Sequence, residues 1–238
     1  MSINFTPGKN NAKLRKLELA TGKKVFAFSL LSGYSCPYAK ECLSKAVDVD
    51  GRRHIEDGQH MRFRCFSASE EALFPAVYNH RKNNLDLAKS ITCDDIEAAL
   101  PAKAEIVRIH VAGDFLSSNY MLEWIKTARN NRDVIFYAYT KSLPFWLKHR
   151  KLIDDTPNFV LTASYGGWRD ELITKHKLRS AVVVNYPQDT MLEIDDNDTH
   201  AALPEYRHQD FALLLHGVQR KGTVEAKAVE GRKHERHK

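Results

Sequence analysis

The sequence predicts an α/β fold on a parallel sheet, open or curled into a partial (βα)6 barrel. Three observations predict it. Six short runs are rich in β-branched and aromatic residues, stretches of helical or mixed character separate them, and 238 residues suit one layered core. Alternating strands and helices imply right-handed βα units, and the chain shows no internal repeat or low-complexity linker. We therefore expect one α/β domain over 25–219, flanked by a basic N-terminal extension, 1–24, and a basic C-terminal tail, 220–238.

The first expected strand is Val25–Leu31. A helix follows from Ser69 to about Lys82, and another from Asp94 to Leu100, entered through Thr92. The second strand, Ile106–Ala112, precedes the clearest helix, Asn119–Asn131. There Tyr120, Met121, Trp124, Ile125 and Ala128 share one face, Glu123, Lys126 and Arg129 the other, and Ser118 or Asn119 is the expected N-cap. The remaining strands are Val134–Thr140, Phe159–Ser164, Ala181–Tyr186 and Phe211–His216.

Composition is that of a globular protein, 43% hydrophobic and 28% charged. No apolar run approaches the eighteen or so residues of a membrane span, and Met1–Lys24 lacks an apolar signal core. A cytosolic protein is expected, whose four cysteines are thiols or metal ligands rather than a disulfide framework. The net charge of +6 is uneven: residues 1–24 carry +5, residues 220–238 carry +4, and the body between them about −3. Any contact with polyanions is expected through the ends, although EGRKHERHK also reads as a solvated end.

Strand phase points to a site. In IVRIHVAGDF, Val107, Ile109 and Val111 form an apolar face, while Arg108, His110 and then Asp114 take the opposite phase, expected to face inward. Tyr137 and Tyr139 fall together in VIFYAYTKS, with Lys141 just past the strand; Ser164 ends the next strand and His216 the last. Ligands in parallel α/β folds bind at the carboxyl ends of strands. Arg108, His110, Asp114, Tyr139, Lys141, Ser164 and His216 are thus expected to line one interior site.

Cys36 and Cys42 follow the first strand, and Cys65 lies twenty-three residues beyond Cys42. These spacings are not those of a zinc finger. Thiolates converging after the first strand suit an iron–sulfur cluster, with Lys40, Arg62 and Arg64 near enough to balance its charge. Free cysteines are also common core residues, and Cys93 reads equally as a fourth ligand or a bystander.

Other signals carry less. MLEIDDNDTH lacks the glycine and terminal glutamate of an EF-hand and reads as a solvated acidic loop. No Walker, GxGxxG, GxSxG or HExxH pattern occurs. Phe145, Trp146 and Trp168 sit beside basic residues and read as core or loop anchors, or as platforms for bases.

The phrases CPYAKEC, RFRCFSASEEA, RIHVAGDFLSSNY, FYAYTKSLPFW, NFVLTASYGG and FALLLHGVQ resemble the phage gene product 88 family, from about Leu30 to Gly222. That resemblance implies a protein of the infected host's cytoplasm and supplies no mechanism. More distantly, the layout is similar to the radical S-adenosylmethionine superfamily. Cysteines follow the first strand, and Gly113–Asp114 ends the second where that superfamily has Gly-Gly-Glu-Pro. The three-cysteine loop, Cys-x3-Cys-x2-Cys, is not reproduced, because Cys65 is remote.

Three functions are weighed. The first is an iron–sulfur protein with a four-iron cluster on Cys36, Cys42 and Cys65, binding or acting on nucleic acid or a host component that processes it. The second is an atypical enzyme using S-adenosylmethionine at the cluster's open iron, which a fourth ligand from Cys93 would close. The third is a zinc- or cysteine-stabilised binding module without catalysis.

Overall fold

The structure is a computed structural model and describes residues 2–235. Its elements run β1 (Thr6–Pro7), α1 (Ala12–Thr21), β2 (Val25–Phe28), then a hairpin of β3 (Ser44–Val49) and β4 (Arg52–Asp57). Three helices follow, α2 (Phe66–Leu73), α3 (Pro75–Ala88) and α4 (Cys93–Ala99), before β5 (Ile106–Ile109) and α5 (Ser118–Asn130). Next come β6 (Ile135–Thr140), α6 (Leu143–Lys148), α7 (Arg150–Asp154), β7 (Phe159–Ser164), α8 (Glu171–His176) and β8 (Ser180–Val184). The chain closes with α9 (Thr199–Ala202), β9 (Phe211–Leu214) and α10 (Val224–Glu235).

Seven strands form one open sheet in the order β1-β2-β5-β6-β7-β8-β9. All six strands expected from the sequence are present and mutually parallel, and β1 adds an antiparallel edge. Because parallel crossovers share one hand, strands laid down in chain order place their connecting helices on one face. On that face Phe28, Val107, Ile109, Phe136, Ala138 and Leu161 pack against α4 through α8. Helix α5 supplies Met121, Trp124, Ile125 and Ala128, each fully buried, and burial of side chains the size of Met121 and Ile125 contributes about 1.5–3 kcal/mol apiece. Its N-cap is Ser117, whose side chain accepts from Tyr120 N, one residue before the caps expected.

The opposite face, where Val25, Ala27, Ile106, Tyr137, Val160 and Phe211 point, is covered by Leu14 and Leu17 of α1 and by Ala201 and Ala202 of α9. The basic N-terminal stretch is therefore part of the fold rather than an extension from it. The C-terminal stretch is helical in α10, with Ala226, Ala228 and Val229 buried; residues 236–238 of that expected tail lie outside the described residues.

Two further expectations are corrected. The helix expected from Ser69 to Lys82 is two, divided where Pro75 forces Phe74 out of the helical region (φ −114°, ψ 103°). The inward phase of His110 also fails. Strand β5 ends at Ile109, and His110 takes a φ of +71°, which breaks the pleat. His110 consequently turns to the helical face, against Phe28, Phe115 and Tyr120, while Val111 packs on the other side. Among the described residues no helix is long and apolar enough to cross a membrane.

Candidate functional site

Cys36, Cys42 and Cys65 gather beyond the carboxyl ends of the parallel strands, each half-buried. They are within electrostatic reach of one another. Burial first, then Asp114, Cys65 and Cys42, raises the pKa of Cys36 well above that of a free thiol. Burial and then Cys42 raise Cys65 to about 11, although the N–H groups of Ser67 and Ala68 at the start of α2 pull the other way. The three sulfurs do not all lie within 4.8 Å of one another. Tetrahedral ligands on a single zinc, at about 2.3 Å from the metal, stand only about 3.8 Å apart.

Each cysteine is flanked by a residue seated on the end of a different strand. After β5, Gly113 (φ +91°) lies so close to the Cys36 loop that a methyl group there would stand 2.5 Å from Ser35 Oγ and 2.8 Å from Leu30 Cβ. After β7, Gly166 O accepts hydrogen bonds from Lys40 N and Glu41 N, just before Cys42. After β9, Gly217 (φ +83°) abuts Phe66, beside Cys65, where a methyl would stand 2.6 Å from Phe66 Cβ. Only glycine combines that backbone angle with that approach.

A buried clasp joins the two thiol-bearing segments. Glu71 of α2 accepts from Ser32 N (3.1 Å), Ser32 Oγ (2.7 Å) and Arg81 Nη1 (2.9 Å). Burial raises the Glu71 pKa against the opposing charge of Arg81. Helix α2 begins directly after Cys65 and Ser32 leads into Cys36, so one carboxylate fixes both.

Between these seats lies a polar rim. Asp114 accepts from Phe115 N (2.7 Å), Thr140 Oγ1 (2.7 Å) and Lys141 N (2.8 Å); burial raises its pKa, against those hydrogen bonds. Lys141 Nζ donates to Ser164 Oγ at 2.6 Å. Deeper, on the inner face of the sheet, Asp198 is fully buried. It accepts from Arg108 (2.6 Å), Tyr137 Oη (2.8 Å) and Tyr139 Oη (2.8 Å) and pairs with Lys13 (2.6 Å). Burial alone would raise the Asp198 pKa; Arg108 and Lys13 overcome it and hold the carboxyl well below its usual range. His216 lies past β9 with its ring 4.5 Å from Phe66. The residue is exposed, and crowding against Phe66, then the charges of Lys13 and Arg108, shift its pKa downward.

The profile of the family described as gene product 88 matches residues 4–236. The chain belongs to the gene product 88 family. No curated protein and no solved structure matches it.

The seven residues expected to share one interior site are divided in this gene product 88 chain. Asp114, Lys141 and Ser164 form the rim, Arg108 and Tyr139 belong to the ion-paired interior, His216 stands by Phe66, and His110 is on the opposite face. Cys93 is also apart from the other thiols. It opens α4 on the helical layer, where Thr127 and Asn130 of α5 approach its sulfur at 3.5 and 3.6 Å, with Asp94 and Glu97 alongside. A pocket of about 360 Å³ lies between β4, α2 and Val218, bordered by Arg64 next to Cys65.

Sequence reasoning missed Glu71, Lys13 and Asp198. The loop read as solvated in fact buries Asp195 and Asp198, leaving Glu193 and Asp196 exposed. The signal for the three seats was present, because a glycine follows each of the second, fourth and last parallel strands. Phe145 packs edge-on against Tyr38 and Trp146 is buried, whereas Trp168 is 49% exposed, with Lys40 over its ring at 5.0 Å and His60 against its edge.

Proposed function

We propose that this protein binds a four-iron cluster through Cys36, Cys42 and Cys65, on a curled half-barrel of six parallel strands. The observation that carries this is the triple seating. Three strand ends hold the neighbours of three thiols in one region. A cluster held by three cysteines supplies one-electron chemistry and leaves one iron able to accept a further ligand. The residues present fit it. Glu71 and Arg81 fix the two loops, and the N–H groups of Ser67 and Ala68 face the Cys65 sulfur.

The partner in this reading is nucleic acid, or a host component that processes it. Support comes from Trp168, an exposed ring beneath Lys40 beside Gly166 and Gly167, which suits stacking on a base at the mouth of the site. S-adenosylmethionine as a cluster ligand is the second reading, favoured by the separation of Cys93 from the other thiols, which leaves the fourth iron open. A zinc-stabilised module is the third reading, and metal quantitation separates it from the first two.

Anaerobic purification with visible absorption and iron and sulfide quantitation tests the proposal. About four irons and four sulfides per chain are expected for one such cluster, lost in Cys65→Ala and kept in Cys93→Ala. A colourless protein, or stoichiometric zinc without sulfide, would overturn it.

A further inference from the structure

We infer that Lys141 and Ser164 form a binding site for the anionic group, carboxylate or phosphate, of a ligand at the rim. Lys141 is only 8% exposed, yet among the described residues the sole hydrogen-bond partner of its ammonium is the Ser164 hydroxyl at 2.6 Å. Among the described residues no carboxylate pairs with it. Asp114 is close enough to feel its charge, but the Asp114 oxygens are engaged by Phe115 N, Thr140 Oγ1 and Lys141 N. An ammonium offers three donors and Ser164 takes one, so an anion reaching the rim completes a set that Asp114, engaged by other donors, offsets in charge only through space.

The placement agrees. Lys141 directly follows β6 and Ser164 ends the adjacent parallel β7, both at the carboxyl edge where ligands bind in open α/β sheets. The Lys141 backbone is fixed by its N–H to Asp114, and Gly167, which pairs with Ala39 of the cysteine loop, packs against its Cβ. The ammonium is thus held ready without a ligand. A serine–lysine pair also suggests a nucleophile, but the neighbouring N–H groups that would hold an oxyanion are taken. Gly166 N and Gly167 N donate to Asp170, and Tyr165 N donates to Ala181 O. Binding, not acyl transfer, is what this arrangement performs.

That the bound group belongs to a ligand of the cluster rests on the cluster reading; anion binding itself does not. The test follows the unfolding midpoint of the full chain as inorganic phosphate, or separately acetate, replaces chloride at constant ionic strength. A saturable rise is expected with at least one probe, and which one responds separates a phosphoryl from a carboxyl ligand. In Lys141→Met the apparent affinity should weaken at least tenfold, in Ser164→Ala severalfold, while Lys141→Arg retains most of it. No saturable rise with either probe overturns the inference. So does unchanged affinity in Lys141→Met, or in Ser164→Ala should the lysine variant fail to fold. Iron and sulfide measured on the same preparations keep the two readings distinct: anion binding through Lys141 in a protein without iron refutes only the cluster.

Discussion

His110 shows how one residue can reverse a reading made from alternation. Arg108 two positions earlier faces the inner side as its phase requires, but with φ of +71° at His110 its own side chain and that of Val111 go to the faces opposite those expected. No pattern in RIHVAG announces that the pleat stops at Ile109, because strand ends depend on where neighbours stop pairing. At its actual position the ring is 3% exposed, with Nε2 2.8 Å from Tyr120 Oη and Nδ1 without a partner. Burial and then Arg108 lower its pKa to about 3, so it is neutral in the folded protein. Between the unfolded value of about 6.5 and the folded one, the unfolded chain binds the extra proton, and stability falls as pH drops through that window. The full loss is on the order of 4–5 kcal/mol, with no contribution above about pH 7. His110→Asn, which tolerates the same backbone region, should flatten urea-unfolding stability against pH between 6.5 and 4 relative to the parent. An unchanged slope would assign the acid sensitivity elsewhere, with His216 the next group of the same sign.

Among the elements, the six parallel strands were legible because buried parallel strands are near-continuous β-branched and aromatic runs. The β3–β4 hairpin was not, since SKAVDV and RRHIED carry charges and β4 alternates between exposed and half-buried positions. Its turn was nonetheless written plainly: Asp50 and Gly51, both at positive φ, are the two-residue link that a tight hairpin requires. That hairpin accounts for the distance in sequence between Cys42 and Cys65, which the structure closes by returning the chain from Asp57 to the start of α2. The seating of Cys65 then depends on a single close approach. Gly217→Ala should push Phe66 away at a cost of about 1–3 kcal/mol, without unfolding the chain. Under the cluster reading its iron content should fall well below the parent's while far-ultraviolet circular dichroism stays the same. Full iron occupancy in a folded Gly217→Ala protein would show that this glycine does not seat the third thiol.

Across the whole molecule, the charge asymmetry of the sequence is real, but its two ends differ in the structure. Of the N-terminal cations, Lys13 pairs with Asp198, Lys16 with Asp196 and Lys23 with Glu105, so half of the six neutralise the slightly acidic body. That division was not readable in a sequence where the acidic partners lie some eighty to one hundred and eighty positions away. Near the other end, Arg232 caps carbonyls of Asn185 and Leu215, while Lys221 and Lys227 are exposed and show no ion pair among the described residues. Any phosphate contact is therefore expected from the C-terminal side and from Lys40 over Trp168, not from α1. Fluorescence anisotropy with a single-stranded oligonucleotide at a series of salt concentrations discriminates these. Replacing Lys221 and Lys227 together by Gln should reduce the log–log salt slope by about 0.7 for each phosphate contact removed. Trp168→Ala should weaken binding by about 1 kcal/mol or more at every salt concentration while leaving that slope unchanged, because stacking releases no counterions. Lys16→Gln and Lys23→Gln should alter neither. Binding that follows the N-terminal lysines instead would mean that their ion pairs open to meet the polyanion, and binding absent throughout would leave a protein or small anion as the partner at this rim.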